Sequence, residues 1–371
     1  MKRMSGIIFS NIYDDALGDL TAKRTVASLP FGGRYRQIDY VLSNMVNSDI
    51  TSVGVITKYN YESLMDHLGS CEEWDLNRKT GGLYIIPPFA SGKSEVYHGK
   101  LEALHTALNF LNSQKSEYVV LSDTITICNI DYRDVLAAHI KSGRDITVVV
   151  SSKINDDISY PVVFEANDDN SVKTINVNCK ANENSFVGLG MFIMKREYLI
   201  EVVTESVAAG YYHFEKDFLQ KFFNSNKLSV NLYEFEDVVL RNRDIASYLK
   251  NNIKLIDEEI QKGLYKPSAP IYTKVRDEIP TYYGENSVVN DCIIADGCKI
   301  YGELKNSVLF RDATIEEGAV VIDSIVMQGS KIKKGAYIEN AIIDKNVTIT
   351  EGKRLLGACT SPVIVKKGET I

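Results

Sequence analysis

Long apolar runs are missing from this chain, and with them any segment able to span a bilayer. Met1-Lys2-Arg3 followed by Ile7-Ile8-Phe9 has the outline of a secretory signal, but the apolar run is too short and no small-residue cleavage site follows. Six cysteines, Cys71, Cys128, Cys179, Cys292, Cys298 and Cys359, include no Cys-x-x-Cys pair and no disulfide-framework spacing, so they are expected to be reduced, mostly buried thiols of a cytoplasmic protein. Only five histidines occur; His98 and His105 stand seven apart and His67 is isolated, which is no metal-ligand spacing. No Ser-His-Asp arrangement can be argued from spacing. An excess of positive charge is lacking as well: the net charge of −7 argues against a dedicated nucleic-acid or anionic-membrane surface. The single tryptophan, Trp74 in Glu72-Glu73-Trp74-Asp75, is expected to anchor a core or an interface.

What is present is an ordinary globular composition, 44% hydrophobic and 25% charged, in 371 residues, long enough for two domains. Strand-like runs at Gly6–Ser10, Ser52–Thr57, Tyr118–Leu121, Ile146–Ser151 and Gly188–Met194 alternate with helical patterns at Asp39–Ser48, Glu62–His67, Lys100–Ser113 and Asp131–Ser142. This alternation predicts an α/β domain with a mostly parallel, Rossmann-like sheet. Ile245, Leu249, Ile253 and Ile256 give residues 241–265 one apolar helical face, and Lys266-Pro267-Ser268-Ala269-Pro270 then breaks regular pairing.

From about Ser287 the period changes to six: Val288, Ile294 and Ile300 keep that step, as do Ile332 and Ile338. Corners such as Asp296-Gly297, Tyr301-Gly302, Glu317-Gly318, Gln328-Gly329 and Lys334-Gly335 separate the sides. Six residues per side and three sides per coil predict a left-handed parallel β-helix with stacked inward aliphatic side chains. Cys292 and Cys298, also six apart, are expected to stack on adjacent sides rather than bind metal. The expected domains are 1–265 for the α/β sheet, 266–286 for a linker and 287–371 for the β-helix. A hexapeptide β-helix does not by itself fix a function.

The opening strand Gly6-Ile7-Ile8-Phe9-Ser10, the turn Asn11-Ile12-Tyr13-Asp14-Asp15-Ala16-Leu17 and the segment Pro30-Phe31-Gly32-Gly33-Arg34-Tyr35-Arg36-Gln37-Ile38-Asp39-Tyr40 carry more specific information. With Asn306–Arg311, Met327-Gln328, Gly335-Ala336-Tyr337 and Ile343-Asp344-Lys345-Asn346, they resemble the bacterial glucose-1-phosphate adenylyltransferases (ADP-glucose pyrophosphorylases), and the resemblance covers nearly the whole chain. In that family the turn reads Gly-Gly-x-Gly-x-Arg-Leu and wraps a nucleoside triphosphate. Here its glycine positions carry Asn11, Ile12 and Asp14, and its arginine position Ala16. Backbone N–H groups reach phosphate oxygens only where side chains do not intervene; Ile12 resists positive φ, and Asp14 and Asp15 repel a triphosphate. Two readings stand: an ordinary strand-to-helix turn, or a loop binding nucleotide in an altered way.

Further departures fall where the resemblance places chemistry. Val26 stands where the family has a phosphate-contacting lysine. Tyr97-His98-Gly99-Lys100-Leu101-Glu102-Ala103 matches a nucleotide-cradling Gly-Thr-Ala-Asp-Ala turn with lysine in place of threonine. Ile125 occupies a magnesium-ligand position, with Asp123 two residues away as a weak candidate, either a surviving ligand or a polar strand-end residue. Arg241 stands where a second metal-binding carboxylate belongs, and Mg²⁺ requires oxygen ligands. The sugar-phosphate Glu-Lys-Pro has only Lys180 as a shifted remnant, and His213-Phe214-Glu215-Lys216-Asp217 replaces Asp-Phe-Gly-Lys-Asp. A residual nucleotide or sugar-phosphate pocket would use Tyr97, Gly99, Lys100 and Lys180.

Nucleotidyl transfer depends on metal-assisted charge neutralisation and in-line positioning, and these losses together remove its main contributions. The resemblance therefore implies a GlgD-type, catalytically deficient regulatory subunit with no catalytic residues or cofactor of its own. Magnesium would belong to a catalytic partner in a hetero-oligomer, expected to be a tetramer, that makes ADP-glucose. Basic residues matching Arg24, Arg36 and Lys345, with Arg354 nearby in sequence, form an anion site for phosphorylated effectors in the family; the plainer reading is solvated or salt-bridged side chains. An active enzyme with a site rebuilt from Asp123, Lys180 and Lys100, and a homo-oligomeric sugar-phosphate sensor, are the alternatives.

Overall fold

The computed structural model describes residues 3–88, 97–154, 159–167 and 171–371. Two compact units emerge: Met1–Ile12, Val41–Tyr61 and Gly69–Asp237 form one, and Tyr13–Tyr40, Glu62–Leu68 and Val238–Ile371 the other.

The first unit is built on a nine-stranded sheet. Gly82–Ile86, Ser52–Ile56, Met4–Phe9 and Tyr118–Asp123 lie side by side, all parallel. Ser185–Lys195 then adds antiparallel to Tyr118–Asp123 and pairs onward with Ser159–Ala166 and Ile146–Ser151. Val230–Glu234 lies parallel to Ile146–Ser151, and Val172–Lys180 antiparallel to Ser159–Ala166. The parallel strands are continuous apolar runs because both faces are covered: Met4–Phe9, Tyr118–Asp123 and Ile146–Ser151 are buried throughout. The Ser159–Ala166 and Val172–Lys180 hairpin is not visible in the apolar pattern, since its half-buried residues alternate only weakly.

Helix Gln37–Asn47 and helix Tyr132–Ser142 lie where the periodicity predicts helices. The pattern over 100–113 divides into Lys100–Thr106 and Leu108–Ser113. At the join Thr106 Oγ1 donates to Ala103 O at 2.7 Å and Ala107 N closes a tighter bond to Leu104 O at 2.9 Å, breaking the i to i−4 ladder.

The second unit contains the β-helix, an all-parallel stack of the hexapeptide type. Thr314 pairs with Lys331 and Lys331 with Thr348, so a coil takes 17 residues there; Lys299 to Thr314 takes 15. Ile300, Ile315, Ile332 and Ile349 are successive rungs of one inward ladder, all fully buried. Val288, in phase by sixes, is exposed, because its strand Val288–Ile294 pairs on one side only, with Glu303–Leu309. The corners use left-handed residues: Gly297, Asp312, Gly329 and Asn346 all have positive φ. Cys298 donates to Phe310 O at 3.2 Å and Cys292 to Asn290 O at 3.2 Å; both are free thiols.

The units do not follow the linear boundaries 1–265, 266–286 and 287–371: residues 13–40, 62–68 and 238–286 group with the β-helix strands. Shared cores set compactness, and an aromatic set ties these segments together. Tyr35 stacks on Tyr265 at 5.5 Å, Phe31 meets Tyr40 edge-on at 5.8 Å, and the Tyr40 and Tyr265 hydroxyls are 2.7 Å apart. The expected helix over 241–265 is two helices, Ile245–Lys254 and Glu258–Leu264. Asp244 and Ser247 form a capping box on the first, and Asp257 caps the second through Glu259 N and Ile260 N. No helix among the described residues is long and apolar enough to cross a membrane.

Candidate anion-binding site

Within the second unit a small open cleft is lined by six cationic side chains, Arg34, Arg36, Lys274, Arg276, Arg311 and Lys345, and by His67, with no carboxylate in the lining among the described residues. A tight hairpin presents the first two: Pro30–Phe31 pairs with Tyr35–Arg36 across Gly32 and Gly33, both at positive φ. Asn252 Oδ1 accepts from Gly32 N at 3.0 Å, and Tyr248 Oη donates to Pro30 O, fixing the hairpin. Lys345 and Arg311 project from β-helix coils, where residues far apart in sequence come together by stacking.

Each cation is held differently. Arg36 Nη1 donates to Ser63 O at 2.6 Å and to Ser63 Oγ at 3.0 Å, and Lys274 Nζ donates to Asp66 O at 2.6 Å. Neutral acceptors orient these groups without cancelling their charge. Asp39 Oδ1 lies 2.5 Å from His67 Nε2, and Asp39 Oδ2 accepts from Thr273 Oγ1 at 2.6 Å. Arg311 is only 7% exposed; its Nε and Nη2 have no hydrogen-bond partner among the described residues, and a carboxylate oxygen of Asp296 is 3.8 Å from Nε. A buried guanidinium with idle donors is costly unless something else meets it.

The cations depress one another. Burial, reinforced by Arg36 and Arg24, pushes the Lys345 ammonium down to about 7. Burial lowers Arg36 to about 10, with Asp39 opposing and Arg24 adding to the effect. Burial, with Arg34 and Arg276 nearby, also lowers Arg311. A multiply charged anion would relieve all three, and bidentate geometry suits guanidinium to phosphate.

Of the four residues expected to form an anion site, Arg36 and Lys345 line this cleft. Arg24 is spent: it grips both oxygens of Asp344 at 2.7 Å in a pair with side chains 4% and 2% exposed. Arg354 is exposed and lies over the Tyr337 ring at 4.8 Å, outside the lining. Arg34, Lys274, Arg276 and Arg311 were missed, although the paired basic residues of Lys274-Val275-Arg276 were a legible signal.

The positions resembling a triphosphate turn are internally satisfied. Asn11 accepts from Lys58 N at 2.9 Å and Ser10 Oγ at 2.8 Å and donates to Tyr59 O at 2.9 Å, so its side chain fills the end of the first strand. Ile12 packs against the sheet core. In the second unit, Asp14 opens a 3-10 helix to Leu20, and its buried carboxylate accepts from Val26 N at 2.8 Å. Ala16 is exposed and Val26 fully buried. None of these positions has a positive φ; Gly18, between them in sequence, does. An ordinary turn with acidic residues at a helix start describes this segment.

Asp123 ends its strand fully buried, its carboxylate lying against Gly190, where a Cβ would overlap Asp123 Oδ2. Gly190, at φ 75, sits in a register shift of the neighbouring strand that makes room for that carboxylate. Ile125 is fully buried, and Arg241 lies in the short strand Leu240–Arg241 with its carbonyl bonded by Asn251 Nδ2 at 2.8 Å. Among the described residues no group of three or more His, Cys, Asp or Glu side chains is gathered that could hold a metal ion. Of the residual-pocket residues, Gly99 precedes helix Lys100–Thr106 with no room for a side chain against the Tyr212 backbone. Tyr97 is buried with the Lys58 ammonium 5.5 Å from its ring; Lys180 is exposed at a strand end. Lys100 is paired with Glu215.

Residues 14–238 match the Nucleotidyl transferase family, and residues 279–357 the GlmU-like, C-terminal hexapeptide family. The chain is 32% identical to the glycogen biosynthesis protein GlgD of Bacillus subtilis (strain 168), over 99% of this chain and 96% of that protein. It is 36% identical to the GlgD of Geobacillus stearothermophilus, over 86% and 83% respectively. A glucose-1-phosphate adenylyltransferase of Bacillus mycoides (strain KBAB4) is 32% identical over 91% of this chain and 90% of that protein. Fold and matches define a nucleotidyltransferase-type chain carrying a hexapeptide β-helix. Within that class, the chain belongs to the GlgD-type ADP-glucose pyrophosphorylase family.

Proposed function

We propose that this chain is a regulatory, catalytically deficient subunit that associates with a catalytic glucose-1-phosphate adenylyltransferase and raises its production of ADP-glucose and pyrophosphate from ATP and glucose 1-phosphate, in glycogen biosynthesis. One observation carries the reading: Asn11 and Asp14, at the phosphate-turn positions, are bonded to the chain itself, while the basic cleft keeps its cations open to an anion. In this reading magnesium and nucleotide chemistry reside in the partner, and a phosphorylated metabolite in the cleft biases the complex by binding its active state more tightly. GlgD and adenylyltransferase relatives support the role in glycogen biosynthesis.

The test is turnover of ATP and glucose 1-phosphate by the purified chain, by a catalytic paralogue, and by the two mixed. Negligible turnover alone with a higher rate in the mixture is the expected result. Robust turnover alone overturns the reading and restores a rebuilt active site; no association with the paralogue points instead to a homo-oligomeric sensor.

A further inference from the structure

Lys100 and Glu215 stand 115 positions apart in the sequence, yet they form an ion pair in the interior of the first unit, with side chains 4% and 14% exposed. Lys100 opens the helix Lys100–Thr106, and Glu215 lies in the π-helix Phe214–Gln220. The ammonium sits 5.6 Å from the Phe9 ring centre, at the end of the first strand, and 5.9 Å from that of Phe192. Phe192 in turn packs on Phe214 at 5.0 Å. Around this pair the two segments already touch: Leu101 N donates to Tyr212 O at 3.0 Å, and Asp217 Oδ2 accepts from the N–H groups of Tyr212 and His213.

A lysine ammonium enclosed by two aromatic rings and a carboxylate is a complete site for a cation, filled by the chain itself. Lys100 and Glu215 replace the threonine and the glycine of the motifs that these two segments resemble, so a small residue has become a charged one on each side. Together the two changes bring opposite charges within ion-pairing distance. We propose that Lys100 and Glu215 form an internal bolt: an ion pair that joins the helix Lys100–Thr106 to the segment Phe214–Gln220 and closes the space between them to a phosphorylated sugar. This proposal concerns sugar-phosphate access in the first unit alone, and it stands or falls separately from activation of a partner.

The test uses the full chain and hydrogen–deuterium exchange resolved by peptide, with glucose 1-phosphate as the probe. Glu215→Gln keeps the shape and removes the charge; without ligand it should speed exchange on the order of tenfold in both 97–106 and 211–220. Acceleration confined to 211–220 overturns the bolt. Millimolar glucose 1-phosphate should leave both segments of the unaltered chain unchanged, and protection there overturns the closure. The double variant Lys100→Thr/Glu215→Gly should gain ligand-dependent protection in both segments, and a folded double variant without that gain also counts against closure. Binding of the probe to the basic cleft is separable, because it reads out in peptides carrying Arg34–Arg36, Arg311 and Lys345.

Discussion

The positions resembling a nucleotide and sugar site, and the basic cleft of the second unit, handle buried polarity in opposite ways. In the first group three polar side chains are met from within: Asn11 by Lys58 and Tyr59, Asp14 by Val26 N, Lys100 by Glu215. In the cleft, six cations meet no lining carboxylate, and Arg311 keeps two idle donors. A protein interior tolerates charge when it is paired, so Asn11, Asp14 and Lys100 need nothing from outside, whereas the proposed anion would supply the counter-charge that the cleft lining lacks.

Two substitutions sharpen that contrast because both disturb a buried arginine. Asp344→Ala strands Arg24 without its carboxylate and should lower stability by about 3–5 kcal/mol, read by denaturant unfolding. Arg311→Met removes a buried cation that has no hydrogen-bonded acid and keeps much of its stem. Stability in anion-free buffer should stay the same or rise, while affinity for inorganic phosphate or a hexose bisphosphate falls about 10- to 100-fold by calorimetry. If Arg311→Met destabilised the protein as much as Asp344→Ala, the cleft would be a structural network and the contrast would fail.

The pH response offers a finer test. The folded-state pKa of Lys345 is lowered to about 7, so the folded chain releases this proton before the unfolded chain does. Between about 7 and the ordinary lysine value the unfolded state binds more protons, so this group makes stability rise with pH across that window. Anion binding works in the other direction: a bound phosphate favours the ammonium and takes up a proton near neutrality. Apparent affinity should therefore fall as pH rises above 7, by at most about tenfold per pH unit, because one proton is linked. Calorimetry in buffers of different ionisation enthalpy should detect the uptake, and Lys345→Met should abolish this component. A pH-independent affinity in the unaltered chain would remove Lys345 from the anion's surroundings.

Much of the fold was legible because it rests on local periodicity. The buried strands read as continuous apolar runs, and Ile300, Ile332 and Ile338 marked the β-helix before its coils were known. What a six-residue rule misses is the coil length, 17 residues from Thr314 to Lys331 but 15 from Lys299 to Thr314, since corners can shorten a side without disturbing the inward ladder. The turn's lack of glycine was legible too, since Asn11, Ile12 and Asp14 are read from residue type alone. Site membership was not. Arg311 enters the cleft through coil stacking, and Arg24 leaves it because Asp344 neutralises it, a pairing across 320 positions that no local pattern records.

Arg354 gives the smallest expected effect and the cleanest check of that lesson. Sequence proximity to Lys345 grouped it with the anion residues, but it is exposed and rests on Tyr337, away from the lining. An exposed cation in water is screened by salt and loses little when removed. Arg354→Ala should thus change affinity for the same phosphate probe by less than about twofold, in contrast to Arg311→Met. A loss matching that of Arg311→Met would mean that the anion reaches beyond the cleft to the face carrying Tyr337, and that nearness in sequence had been the better guide than burial.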